Sequence, residues 1–240
     1  MLCDLHNAVP GHLKGYDCPI CKNRGWVYVM NGMYENARPC ACMPVRESIR
    51  RIRRSGLYDR LQTQTFKAFR ADELWQKDCL NKARRFAEKH EKPAFFIGGQ
   101  QGCGKTHLCT AICASLLRQG FAVQYFVWES YIKEILTRSG IADREACEAR
   151  MQPLLTSPVL YLDDFLRKDD PTQAERSFAF DVINRRYIDG SITILSSEHV
   201  LDELLRTDPA IAGRIREMCG GTYCLNITAD AHKNYRMRKS

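Results

Sequence analysis

Residues 98–107 read GGQQGCGKTH, and Gly99, four residues, Gly104, Lys105 and Thr106 fit the phosphate-binding spacing GxxxxGK followed by Ser or Thr. The residue types explain the chemistry. Gly99, Gly102 and Gly104, with Cys103 among them, let successive backbone N–H groups turn inward around phosphate oxygens. Lys105 then reaches the β and γ phosphates, Thr106 offers a hydroxyl to Mg²⁺, and His107 follows in the same turn. The apolar run Ala94 to Ile97 before the loop reads as a short buried strand, and Leu108, Ala111, Ile112, Ser115 and Leu116 after it fall at helical spacing. The loop therefore sits at a strand-to-helix turn, and ATP with Mg²⁺ is the expected ligand. A second apolar run, PVLYLDDF from Pro158 to Phe165, ends in paired acids. Asp163 is placed to hold Mg²⁺, directly or through water, and Asp164 to orient or deprotonate an attacking water.

A different chemistry is written nearer the amino terminus. Cys18 and Cys21 form a CxxC with Pro19 inside it, and after eighteen intervening residues Cys40 and Cys42 form a CxC. Two tight thiolate pairs can meet as one tetrahedral sulfur site for structural Zn²⁺, and a short segment with few large aliphatics needs such a staple to fold. Between the pairs Trp26, Tyr28 and Met30 alternate with Val27 and Val29, and Asn31-Gly32 marks a turn, so a zinc-ribbon-like hairpin is expected. Cys3, His6 and His12 are additional ligand-type residues in the same stretch.

Composition narrows the setting. The chain has 240 residues, 12 cysteines and a formal charge of +8. That length buries one good core and leaves room for a small appended module. Residues 1–54 carry nine Lys/Arg against four Asp/Glu, which suits a polyanionic partner, although four zinc thiolates would take back part of that excess. No apolar run approaches a membrane span and no signal peptide is evident, so a cytoplasmic protein without a membrane partner is expected. A nucleotide-binding protein of that compartment keeps its thiols reduced, and metal ligation and buried free thiols explain the cysteines better than disulfides do.

The elements that must position these groups can be read in outline. Val45 to Arg60 is arginine-rich, with Ile49 and Ile52 on one helical face and Ser55-Gly56 as a stop; it suits either a phosphate-tracking helix or a solvated linker face. Phe66 and Phe69 should pack on the nucleotide core, and a helix is expected from about Ala71 to Lys89. Further strands are expected at Ala122–Val127, Ser191–Ser196 and Thr222–Ile227, with helices at Ser130–Thr137, Arg144–Leu155 and Thr172–Ile188 and two short ones within Leu201–Met218. Five apolar strands alternating with helices mean an α/β fold with a parallel sheet covered on both faces. The division expected is a zinc-binding module over 1–46, a basic helical linker over 47–70 and an ATPase domain over 71–240, with the first and last folding independently.

Taken together, the cysteine-rich segment, the phosphate loop, LYLDDF, the stretch ITILSSEHVLDELLRTDPAIAGRIREMC from Ile192 and the KNYR from Lys233 resemble the DnaC/DnaI-type helicase loaders, a branch of the AAA+ ATPases without a helical lid domain. The resemblance covers nearly the whole chain. It implies that Arg214, in AGRIRE, is the arginine finger that reaches a neighbouring subunit's nucleotide, and that Arg236, in KNYR, is the sensor-2 arginine on the γ-phosphate of its own. It also implies a replicative DNA helicase as partner, single-stranded DNA as the loading site, and a homo-oligomer when ATP is bound. The helix around Ser130 to Thr137, with Tyr125, Phe126 and Tyr131 nearby, is the expected DNA-facing surface. At the sensor-1 position, where AAA+ proteins commonly carry Asn, this chain reads Ser196-Ser197-Glu198, and Asp164 stands where Glu is usual. Both departures imply a slow, switch-like ATPase. Two alternatives stay open: an IstB-like transposition helper, which generally lacks a zinc module, and a nonenzymatic adaptor whose phosphate loop is structural.

Overall fold

The computed structural model describes residues 2–55, 57–138 and 144–235. A short helix, α1 (Leu2–Ala8), precedes the antiparallel hairpin of β1 (Trp26–Asn31) and β2 (Tyr34–Pro39). Asn31 pairs with Tyr34, so the two-residue turn is Gly32-Met33, one position later than the Asn-Gly signal suggested. The α1 helix was not foreseen. It is tied to the hairpin by Asn7, whose side chain donates to Tyr28 O at 2.8 Å and accepts from Tyr28 N at 2.9 Å.

The segment expected as a linker is two helices, α2 (Met43–Arg54) and α3 (Leu57–Thr63). Val45, Ile49 and Ile52 recur at helical spacing on α2, and Leu57 and Leu61 do the same on α3; all five are buried in the main hydrophobic core. The exposed face of α2 carries Arg50, Arg51, Arg53 and Arg54. Helix α2 thus begins beside the cysteine cluster and continues into the main core, where it packs on the first edge of the sheet.

The core is built from α4 (Leu74–Lys89), β3 (Ala94–Gly99), α5 (Lys105–Arg118), β4 (Val123–Val127), α6 (Trp128–Arg138), α7 (Arg144–Thr156) and β5 (Val159–Asp163). It continues through α8 (Gln173–Asp189), β6 (Ile192–Ser197), α9 (Leu201–Thr207), α10 (Pro209–Cys219) and β7 (Cys224–Ile227). These boundaries lie within a few residues of those expected. The five strands pair in parallel in the order β4-β5-β6-β3-β7. Every residue of β3 and β5 is buried, which requires helices on both faces of the sheet. Among the described residues only a 3-10 turn, Ala231–Lys233, follows β7, and no helical lid is present. No helix of the described residues is long and apolar enough to cross a membrane.

One buried cation braces the helical layer. Arg186 of α8 has no exposed surface, and its guanidinium donates to Leu154 O (2.9 Å), Ser157 O (3.0 Å), Ile192 O (2.6 Å) and Thr193 Oγ1 (2.8 Å). Burial lowers its pKa to about 10, so it remains charged at neutral pH and satisfies carbonyls at the ends of α7 and β6.

Candidate nucleotide site and cysteine cluster

The phosphate loop runs from the carboxyl end of β3 to the first residue of α5, where free helical N–H groups and the helix dipole favour an anion. Two glycines there are dictated by space. A Cβ on Gly99 would lie 2.0 Å from Ile227 O of β7, and Gly104, the N-cap of α5 at φ 94°, would set one 2.8 Å from the Phe69 ring. Lys105 folds back to donate to Gly99 O at 2.6 Å and Gln100 O at 2.8 Å, and the Cys103 thiol donates to Gln100 O at 2.9 Å. His107 contacts Thr65 O at 2.8 Å and meets the Phe69 ring edge-on at 5.2 Å, so it seats the segment before α4 against the loop.

Strand parity brings the acids to this loop. Asp163 ends β5 among four hydroxyls: Tyr161 and Ser196 donate to Oδ1 at 2.6 and 2.5 Å, Thr106 approaches the same oxygen at 3.4 Å, and Tyr125 donates to Oδ2 at 3.2 Å. Tyr125 pairs with Tyr161 across β4 and β5, which puts both rings on the Asp163 side. Ser196 has a second task, accepting from Asp164 N at 3.2 Å, while Ser196 O accepts from Phe165 N at 2.7 Å. The turn that follows is tight, with Asp164 at φ 54° and Leu166 at φ 48°, and the buried Phe165 ring packs on Trp128. Burial and the neighbouring Asp163 and Glu198 charges raise the Asp164 pKa above its ordinary value, and this outweighs the opposing effect of Arg167 and Lys105.

These groups line a polar cleft of about 450 Å³, shared by Lys105, Thr106, Asp163, Asp164, Arg167 and Glu198. Arg60 and Gln64, from α3 and the residues just after it, complete its rim. A second recess, about 240 Å³ and more apolar, opens on the other side of Gly102, Cys103 and Gly104 and is lined by Phe69, Gln76 and Tyr235. The chain after β7 lies over the loop to form it: Tyr235 N donates to Gly102 O at 3.0 Å, Asp230 N to Gln100 Oε1 at 2.6 Å, and Gln76 to the Tyr235 hydroxyl. A polar cleft for phosphates beside an apolar recess for a base is the division a nucleotide needs.

Of the predicted site residues, those from Gly99 to His107 and Asp163 and Asp164 lie together. Arg236 falls outside the described residues. Arg214, on α10, is not at this cleft: its guanidinium donates to Asn184 Oδ1 at 2.8 Å and Ala210 O at 2.9 Å and lies over Phe180 at 4.7 Å. The aromatics expected to face DNA are partly buried and make contacts within the chain. Tyr125 serves Asp163, Phe126 stacks on Tyr131 at 4.2 Å, and Tyr131 donates to Arg150 O. The serine hydroxyl that orders Asp163, the Asp163-facing tyrosines and the apolar recess were missed. Parity along LYLDD could have found Tyr161; the recess has no local sequence signal, because its walls come from residues 68–76, 102–107 and 235.

The four cysteines converge as the spacing predicts. Their sulfurs all lie within 4.8 Å of one another, with Cys18–Cys40 at 3.7 Å and Cys21–Cys42 at 3.6 Å, close to the roughly 3.8 Å edge of a tetrahedral site with Zn–S near 2.3 Å. All four are buried, and donors surround them: Gly25 N to Cys21 Sγ and Arg46 Nε to Cys42 Sγ, both at 3.3 Å. Such donors suit thiolates rather than thiols, so the cluster fits Zn²⁺. Cys3 and His6 are not part of it; His6 contacts Glu35 at 3.1 Å.

A family model described as IstB-like ATP binding protein matches residues 60–215. The chain is 29% identical over 236 residues to the phage-like element PBSX protein XkdC of Bacillus subtilis, covering 92% of this chain and 86% of that one. It is 27% identical over 142 residues to the replicative helicase loader DnaC of Escherichia coli, a match that spans 57% of this chain and 56% of DnaC. Among solved structures, the DnaC helicase loader superposes with a TM-score of 0.57 at 21% identity over 71% of this chain and 99% of that one. DnaI gives 0.56 at 17% identity over 73% and 92%.

Proposed function

Since the chain belongs to the IstB-like ATP-binding family of AAA+ proteins, we propose that it is an ATP-dependent loader that places a replicative DNA helicase on single-stranded DNA. The observation that carries this reading is the joint presence of an intact phosphate cleft and a closed four-cysteine module on one core. The named function of DnaC, to which the chain is similar, supplies the direction. In this reading Lys105 and the loop N–H groups bind the β and γ phosphates, Thr106 and Asp163 hold Mg²⁺, and Asp164 orients the attacking water. Mg²⁺ bound there neutralises phosphate charge. The recess of Phe69, Gln76 and Tyr235 takes the base.

Arg214 acts in trans. Its anchorage on Asn184 and Phe180, away from the cleft of its own chain, is what a residue serving a neighbour requires, and ATP would favour the homo-oligomer in which it does so. Hydrolysis, slow because Asp164 is short and its charge is opposed, releases the loader. The zinc module grips the helicase, and the exposed arginines of α2 offer a phosphate-binding surface. The presence of that module disfavours the rival reading as a transposition helper.

A pull-down with the replicative helicase of the same source, with and without ATP, tests this directly. Capture by the wild type but not by Lys105→Ala supports the loader, whereas capture of a transposase instead would replace it. Lys105→Ala should lose ATP binding, while Asp164→Ala should bind and not turn over; equal loss of affinity in both would refute the division of roles.

A further inference from the structure

The residue that closes the phosphate cleft from its outer side is Arg167, and no motif accounts for it. Its guanidinium lies 3.8 Å from Asp164 Oδ2 and 3.5 Å from Glu198 Oε1, and Glu198 Oε2 in turn accepts from Gln101 Nε2 of the phosphate loop at 2.8 Å. A polar chain therefore crosses the mouth of the cleft from the phosphate loop through Glu198 and Arg167 to Asp164. All four residues line the cleft. Of the other cations at this cleft, Lys105 is committed to two loop carbonyls and Arg60 stands on the rim from α3.

The backbone holds Arg167 in this place. The turn before it carries two non-glycine residues with left-handed φ, Asp164 and Leu166, a conformation that is costly for a leucine and persists only when its surroundings impose it. Buried Phe165 and the Ser196 contacts impose it from one side, and His199, whose Nε2 lies 3.1 Å from Arg167 O, from the other. The guanidinium itself is held loosely. Both acid contacts are longer than the roughly 2.7–2.9 Å of a strong charge-assisted hydrogen bond, and its side chain is 46% exposed. A terminal phosphate offers a denser charge and a fork-shaped match for guanidinium that two distant carboxylates do not.

We propose that Arg167 is a γ-phosphate-contacting residue supplied in cis, which bridges Asp164 and Glu198 when the site is empty and exchanges them for the terminal phosphate of ATP. The exchange frees Asp164 for water and uncouples Glu198 from the turn after β5, so the cleft distinguishes ATP from ADP within one subunit, before any neighbour's Arg214 arrives. This inference rests on the ATP-binding reading above.

The test is the affinity of wild type, Arg167→Ala and Arg167→Lys for fluorescent, non-hydrolysable ATP and for fluorescent ADP, each with Mg²⁺, in dilute protein. Arg167→Ala should lose about tenfold or more in affinity for the ATP analogue, as expected for a charge-assisted contact, with ADP affinity unchanged or increased. Arg167→Lys should recover part of the loss. Equal factors for the two nucleotides, or no change for either, would overturn the proposal while leaving wild-type ATP binding intact. Failure of the wild type to bind ATP would overturn both this proposal and the reading beneath it.

Discussion

Ser196→Ala removes one oxygen and tests how the acidic end of β5 is held. The hydroxyl is fully buried, donates to Asp163 Oδ1 at 2.5 Å and accepts from Asp164 N at 3.2 Å. A hydrogen bond to a charged group contributes about 1.5–3 kcal/mol, and an orphaned buried N–H costs about 1–3 kcal/mol. Asp163 keeps Tyr161, Tyr125 and Thr106, which places the first figure at its lower end. The expected loss is about 3 kcal/mol, and for a chain of this size that is a fall in melting temperature of roughly 6–12 °C. Thermal unfolding of the nucleotide-free protein measures it, with Ser196→Cys as a control that conserves volume but hydrogen-bonds weakly. A fall of less than about 2 °C would refute the argument, because it would mean that Asp163 does not depend on this donor.

Asp164→Asn should raise the melting temperature of the nucleotide-free protein at pH 7. The folded-state pKa of Asp164 is raised, so its contribution to stability is present in full below the ordinary value near 3.8 and is lost as pH rises through the folded value; the gain should therefore shrink from pH 7 towards pH 4, and a gain independent of pH would contradict this. Elemental analysis should find about one zinc per chain, lost in Cys40→Ser. Since Cys42 caps α2 and α2 enters the core, chelation should also lower the melting temperature of the ATPase domain, and an unchanged value would show that α2 stays seated without metal. Arg214→Ala should leave ATP affinity of the dilute protein unchanged but reduce assembly-dependent hydrolysis, and mixing it with Lys105→Ala should restore partial turnover; no restoration, with weakened ATP binding by Arg214→Ala alone, would place the arginine in cis.

What could be read from the chain and what could not divide along a physical line. The phosphate loop, the Asp163-Asp164 pair and the cysteine quartet were legible because their chemistry demands fixed types at fixed local spacing. The core strands were legible because full burial leaves uninterrupted apolar runs such as AFFIGG and VLYLD. The α2 helix and the face shared by Ile49 and Ile52 were legible, but its arginine-rich surface gave no sign that this face, with Val45, is buried in the main core. Tyr125 has a role the chain alone did not show: its hydroxyl donates to Asp163. Arg167 and the apolar recess needed tertiary structure, since each unites residues separated by tens of positions.

The place of β3 in the sheet bears on when the protein becomes competent during its synthesis. Its two neighbours are β6 and β7, and its loop is covered by Asn234 and Tyr235, so the strand that carries the phosphate loop is flanked wholly by segments translated about a hundred residues or more after it. Pairings of such long range form late and slowly. On the ribosome, residues 94–99 must wait as an unpaired apolar segment, and nucleotide binding comes only with the last of the residues that build the site. Occupancy of the phosphate loop is thereby tied to translation of β6, β7 and residues 234–235, well after the loop itself has been made.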